Sequence, residues 1–239
     1  MSTLICFALK EEVAPFRKIA AGKTGITILL TGIGRQNAEK SLREFLLNWG
    51  ARPSRAQRES SRFTHFSTGE TPAYASETDA LPKLVLTCGF AGGLNPDLKL
   101  GDIIFETSDE TLRFKLLASG AKPAKFFCAD RIATTVVEKK KLRAETGADA
   151  IEMESAAIHA VCRERGIPCA TVRVISDTAS EDLPLDFNAL AKPDKNLNYG
   201  KLFLAVARSP GKIPALMQLQ KKTKFAAGQL ADVLAKIIW

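Results

Sequence analysis

Residues 148–182 read ADAIEMESAAIHAVCRERGIPCATVRVISDTASED, and this stretch decides the fold class. A short apolar strand runs into Glu152-Met153-Glu154. The apolar positions then recur at helical spacing through Ala157, Ile158 and Val161, and Gly166-Ile167-Pro168 ends the helix. Cys169 to Ile175 is a continuous apolar, β-branched run that exits at Ser176-Asp177. Such a strand, apolar on both faces, belongs to a largely parallel sheet covered by helices on each side. In open α/β sheets, ligands bind outside the carboxyl ends of the strands. Glu154 and Asp177 both stand at strand exits, so they are expected to face one pocket.

Outward from this unit the chain repeats the pattern. Leu4–Leu9 reads as a buried strand and Lys10–Ala20 as a helix, with Pro15 tolerable only near its first turn. Gly25–Thr31 is a second strand, Gly32-Ile33-Gly34 a tight turn, and Arg35–Trp49 a helix. Lys83–Thr87 is a third strand, and Cys88–Leu94 reads as a glycine turn. Asp102–Glu106, Lys125–Ala129 and Asp149–Met153 are further strands. The fold class is therefore α/β, a three-layer α/β/α sandwich around a central mixed, mostly parallel sheet. One unit of residues 1–239 is expected. A polar insertion falls at about 51–80, and a helical tail at about 198–239 carries an apolar stripe that includes Leu216, Leu219, Leu230 and Leu234.

The 239 residues are 46% hydrophobic and 25% charged, ordinary values for a soluble globular chain. Five cysteines, an odd number with no C-x-x-C, read as reduced thiols of a cytoplasmic protein. With only His65 and His159 to supply imidazole, no metal site is expected. The opening residues lack the pattern of a secretory signal, and no apolar run approaches the length of a membrane span. The net charge of +8 sits in clusters at Arg52 to Arg62, Lys139 to Lys141 with Arg143, and Lys221 to Lys224. These read as solvated faces. They lack interleaved aromatics, which argues against nucleic-acid binding. Basic faces also attract anionic substrates or lipid head groups.

The pair E-M-E (Glu152 to Glu154) and R-x-I-S-D (Arg173 to Asp177) resembles the nucleoside phosphorylase/nucleosidase superfamily. Methylthioadenosine/S-adenosylhomocysteine nucleosidases are the nearest well-known branch. The resemblance implies that Asp177 protonates the leaving purine, oriented by Ser176. It implies that Glu154 accepts hydrogen bonds from the ribose hydroxyls while Met153 packs on the sugar. Ala8-Leu9-Lys10-Glu11-Glu12-Val13 is similar to the nucleosidases' A-M-E-E-E-V and places Glu12 as the base that activates water. Gly32-Ile33-Gly34 matches a family G-I-G. Gly89-Phe90-Ala91-Gly92-Gly93 resembles G-S-A-G-G, which places Phe90, Ala91 and Gly92 at the substrate. Ile132 joins them, in Ala129-Asp130-Arg131-Ile132, where an aromatic residue would sandwich the base.

Other readings of the same residues stand beside these. Ser176-Asp177 also suits a turn, Glu154 also suits the first turn of a helix, and Lys-Glu-Glu is a good helix start. Glu152 reads as a structural partner of Arg173, and His159 as a packing or surface residue. Asp177, to act as an acid near neutral pH, needs burial or a like charge beside it. Phosphorylases of the superfamily put arginines where Lys10 and Thr87 stand, which favours water as the nucleophile. Lys10, Arg35 and Gly34 remain as an alternative anion site, with phosphate as co-substrate and ribose 1-phosphate as product. No other cofactor is implied.

The stretch Thr107–Pro123 is short for a substrate-covering loop. Leu183 to Asp186 and Ser209 to Leu216 resemble the hopanoid-associated phosphorylases, a branch linked to removing adenine from an adenosyl-lipid. An adenosine-type nucleoside with room for a bulky 5′ substituent is thus the expected substrate, with peripheral membrane contact if that substituent is a lipid. A homo-oligomer is expected because family members usually form one. A non-catalytic nucleoside-binding protein is the alternative of another class.

Overall fold

The computed structural model describes residues 2–49, 81–190 and 210–239. The expected insertion at 51–80 and the start of the tail, 198–209, lie outside the described residues. In chain order the elements are β1 (Thr3–Phe7), α1 (Lys10–Ile19), β2 (Ile26–Leu30), α2 (Arg35–Leu47), β3 (Leu84–Gly93), β4 (Ile103–Glu106) and α3 (Glu110–Ala118). There follow β5 (Lys122–Pro123), β6 (Phe126–Cys128), α4 (Val136–Thr146), β7 (Ala150–Glu152), α5 (Ser155–Glu164), β8 (Cys169–Asp177), α6 (Phe187–Leu190) and α7 (Ile213–Ile238).

The sheet runs in the order β2-β1-β3-β8-β4-β5, with β7 paired to the end of β3 and β6 to β7. It is mixed and mostly parallel; β4–β8 and β3–β7 are the antiparallel pairs. Strand alternation sorts side chains to two faces. Ile5 and Phe7 of β1 pack with Val13 and Phe16 of α1, Leu112 and Leu116 of α3, and Leu230 and Leu234 of α7. Leu4 and Cys6 pack on the other side with Leu42 of α2 and Ile158, Val161 and Cys162 of α5. The result is the expected α/β/α sandwich. From β1 the chain crosses to β2 on one side and then to β3 on the other. The crevice between the ends of β1 and β3 is therefore a topological switch point, where ligands of such folds bind.

Two expectations change. The glycine turn after the third strand is instead strand: β3 continues through Gly89 to Gly93, with an irregularity at Ala91/Gly92. Parallel pairing with β8 supplies partners that no local pattern announces. Pro15 lies in the second turn of α1, not the first. The carbonyl it deprives of a donor belongs to exposed Glu11, where water can serve. Thr107–Pro123, expected to be short for a substrate-covering loop, carries α3, capped by the Asp109 side chain.

All five cysteines are free thiols. Among the described residues no helix is long and apolar enough to cross a membrane. No group of three or more His, Cys, Asp or Glu side chains is placed to hold a metal ion among them.

Candidate active site

At the switch point lies a cavity of about 260 Å³. Glu12, Phe90, Ala91, Gly92, Ile132, Met153, Glu154, Ser176 and Asp177 all line it, so the expected catalytic and substrate-binding residues meet in one place. Each arrives on the carboxyl end of a strand or just beyond it: Glu12 after β1, the Phe90 segment in β3, Glu154 after β7 and Asp177 at the end of β8.

The E-M-E motif divides its labour. Glu152 Oε2 accepts from the backbone N–H groups of Glu154 (2.9 Å) and Ser155 (2.8 Å), and its Oε1 accepts from Ser155 Oγ at 2.6 Å. It thereby satisfies the first donors of α5. It also takes Arg173 Nη2 at 2.6 Å, the expected pair. Glu154 is left to address the cavity. It accepts from Gly34 N–H at 2.9 Å and from Arg173 Nη2 at 3.2 Å. A carboxylate has about four lone-pair sites, so Glu154 retains capacity toward the cavity.

Arg173, 1% exposed, is the charge around which the floor of the site is built. Glu12, Glu152 and Glu154 all interact with it. Gly89 is in register with Arg173 across the β3–β8 ladder. A Cβ at Gly89 would lie 2.5 Å from Glu12 Oε1 and 2.7 Å from Arg173 Nη1. Glycine at this point, with φ +150°, is what lets acid and guanidinium approach across the strand.

Three buried carboxylates around one guanidinium cannot all ionise freely. Burial pushes Glu12 up to about 7; Arg173 and the Phe90 N–H pull it down only in part, and Glu154 adds to the rise. Burial also raises Glu154, against the pull of Arg173. Burial works the same way on Glu152, but Arg173 and the Ser155 hydrogen bonds outweigh it and hold Glu152 below its ordinary value. Glu12 is fixed by N–H donors from Leu9 (2.8 Å) and Phe90 (2.9 Å).

On the far side of the cavity, Asp177 Oδ1 accepts from Ser176 Oγ at 2.7 Å and Oδ2 from Lys139 Nζ at 2.6 Å. The expected solvated face at Lys139 is overturned, because this residue is 0% exposed. Of the two conditions set for Asp177, burial is met, and its charged neighbour is a cation. Gly92, whose Cβ would meet Asp177 Oδ2 at 3.3 Å, stands three residues from Gly89. The two carboxylates therefore flank points of β3 roughly 10 Å of extended chain apart.

The alternative anion residues do not converge. Gly34 donates its N–H to Glu154. Arg35 binds the Cys128 carbonyl and Asp130. Lys10 is exposed and does not line the cavity. Thr87 Oγ1 accepts from Arg173 at 3.2 Å. His159 is half-buried and bonded to Thr171 Oγ1 at 2.9 Å.

The cover of the cavity was not foreseen. It comes from Leu183 and Phe187, around α6, and from Leu219 and Thr223 of α7. Leu219 gave a signal as part of the tail's apolar stripe, and Leu183 as part of the likeness to the hopanoid-associated phosphorylases. Arg131, standing where an aromatic residue was sought, also lines the cavity and pairs with Glu138.

Residues 121–205 match the model of the phosphorylase superfamily. This segment contains Asp177, Glu154, Arg173 and Lys139, whereas Glu12 and Phe90 come from the preceding part. A 5′-methylthioadenosine/S-adenosylhomocysteine nucleosidase of Glaesserella parasuis is 28% identical over 45% of this chain and 61% of that protein. An aminodeoxyfutalosine nucleosidase of Campylobacter jejuni is 33% identical over 42% of this chain and 43% of its own length. The chain thus spans about three fifths or less of these curated relatives. In three dimensions it is similar to futalosine hydrolase of Helicobacter pylori over 100% of this chain and 97% of that one. The TM-score is 0.65 and the identity 17%. At that identity the likeness concerns the fold alone.

Proposed function

We propose that this chain hydrolyses the N-glycosidic bond of an adenosine-type purine nucleoside carrying an apolar 5′ substituent. The observation that carries the reading is Glu12, a carboxyl poised at about 7 on one side of a cavity whose other side holds Asp177. A general base works best with a pKa near the operating pH. Glu12 takes a proton from water as its oxygen bonds to C1′. The C1′–N bond breaks, its electron pair passes to the purine, and Asp177 protonates the leaving base. Glu154 holds the ribose hydroxyls and draws off the charge that builds on the sugar, the two-carboxylate logic of glycoside hydrolysis. Arg173 keeps Glu12 and Glu154 in place. No cofactor enters this scheme.

Phe187 and Leu219 support an apolar 5′ group, and the nucleosidase relatives support an adenine-type base. A cytoplasmic homo-oligomer is the accompanying expectation. The test is base release from methylthioadenosine, S-adenosylhomocysteine, aminodeoxyfutalosine and adenosine, with and without phosphate. Phosphate-independent release with a free 5′-substituted sugar is expected. A ribose 1-phosphate product formed only with phosphate would overturn the hydrolytic reading. Binding of these nucleosides without base release would make the chain a nucleoside-binding protein.

A further inference from the structure

The buried ammonium of Lys139 has no part in the scheme above, yet α4 presents it to the acid. Of the eleven residues of α4, Lys139 is the one that is fully buried. Lysines are almost never fully buried unless paired, and those that serve packing bury their stems and keep their heads in water. Here the head is inside. Lys139 Nζ donates to Asp177 Oδ2 at 2.6 Å and to the carbonyls of Thr178 and Glu181, both at 2.8 Å. Three N–H donors meet three acceptors, so the ammonium has no alternative direction.

The surroundings hold this arrangement from several sides. Asp182 Oδ1 accepts from Val136 N–H in the first turn of α4 at 2.6 Å, and Leu183 N–H donates to the Thr134 carbonyl at 2.8 Å. The Glu181 side chain accepts from Thr178 N–H and from Lys222 of α7. The loop after β8 is thus tied to both helices, and Lys139 ties it to Asp177.

We propose that Lys139 is a positioning residue for the leaving-group acid. It holds Asp177 facing the cavity and stabilises the carboxylate that forms when Asp177 gives its proton to the base. This rests on the reading of Asp177 as that acid. As the C1′–N bond breaks, its electron pair goes to the base and the Asp177 proton follows. The ammonium keeps its three protons throughout, and its hydrogen bond to Oδ2 strengthens as negative charge develops there.

Leaving-group dependence separates this role from a merely structural one. A 4-nitrophenyl riboside departs as nitrophenolate and needs no proton, whereas a purine does. The two are compared with the same 5′ group on wild type, Lys139→Met, Asp177→Asn and the double variant. Lys139→Met is expected to slow purine release by on the order of 10²-fold, the lower range for losing acid–base assistance, while nitrophenolate release stays near the wild-type rate. Adding Lys139→Met to Asp177→Asn should cost no further purine release. The double variant removes both buried partners, so it provides this comparison even where Lys139→Met alone folds poorly. Equal loss on both leaving groups, or a further loss in the Asp177→Asn background, would overturn the proposal for Lys139. If Asp177→Asn slows both leaving groups alike, the acid reading fails and takes the proposal with it.

Discussion

Glu12 and Asp177 are both buried carboxyls, yet their surroundings suit them to different work. Glu12 sits where burial outweighs a shared guanidinium, and it titrates at about 7. As a base it must be ionised, so kcat/KM is expected to fall about tenfold per pH unit below 7. A flat profile from pH 5 to 8 would remove Glu12 from that role. Asp177 is held by the buried Lys139 ammonium at 2.6 Å. Asp177→Asn is expected to lower purine release by about 10²–10⁴-fold. It should also destabilise the fold, because it leaves Lys139 charged and unpaired; breaking such a pair costs about 3–5 kcal/mol. The double variant Asp177→Asn/Lys139→Met should recover stability without activity. Urea unfolding alongside turnover assays checks both halves.

At the scale of elements, two helices reach the site by different means. α4 starts with a capping box: Thr135 Oγ1 accepts from Glu138 N–H at 3.2 Å, and Glu138 accepts in return from Thr135 N–H at 3.3 Å. This fixes the first turn and with it the direction of Lys139. Thr135→Ala is expected to cost about 1 kcal/mol, roughly 2–4 °C in Tm for a chain of this size. α7 is long and changes character along its length. Leu230, Leu234 and Ile237 are buried against the sheet, while Leu219 and Thr223 extend over the cavity. Leu219→Ala and Phe187→Ala are expected to raise KM for nucleosides with apolar 5′ groups by about 5- to 30-fold, at roughly 1–2 kcal/mol of lost contact each. KM for unsubstituted adenosine should change little. Equal effects on both substrates would place the 5′ group elsewhere.

For the molecule as a whole, the site is held ready at a cost to stability. Glu12 has its ordinary value of 4.5 when unfolded and about 7 when folded. Between these values the folded state binds more protons than the unfolded state. Stability therefore falls as pH rises from about 4.5 to 7, by about 3 kcal/mol from this group. Activity gained through Glu12 rises over the same interval. The difference in urea stability between wild type and Glu12→Gln should shift in favour of the variant from pH 5 to pH 8. A difference that does not change with pH would mean that Glu12 titrates normally.

The sequence by itself determined the parts whose physics is local or periodic. Continuous apolar runs made the buried strands of a parallel sheet. Helical spacing after Glu154 made α5. The ends of β7 and β8 set Glu154 and Asp177 at strand exits, and the opposite charges of Glu152 and Arg173 on neighbouring segments foretold their pair. Only the tertiary structure decided the rest. Gly89 is strand and not turn because β8 lies alongside it, with Arg173 in register. Lys139 looks like any member of a basic surface run until the end of β8 and the loop after it fold over it and supply three acceptors. The cavity's cover comes from residues far along the chain, around α6 and in α7. Glu12 acquires its value of about 7 only when the fold buries it, with Arg173 and Glu154, more than a hundred positions away, pulling it down and up in turn. Desolvation and charge pairing depend on which surfaces meet, and a one-dimensional pattern carries no record of that.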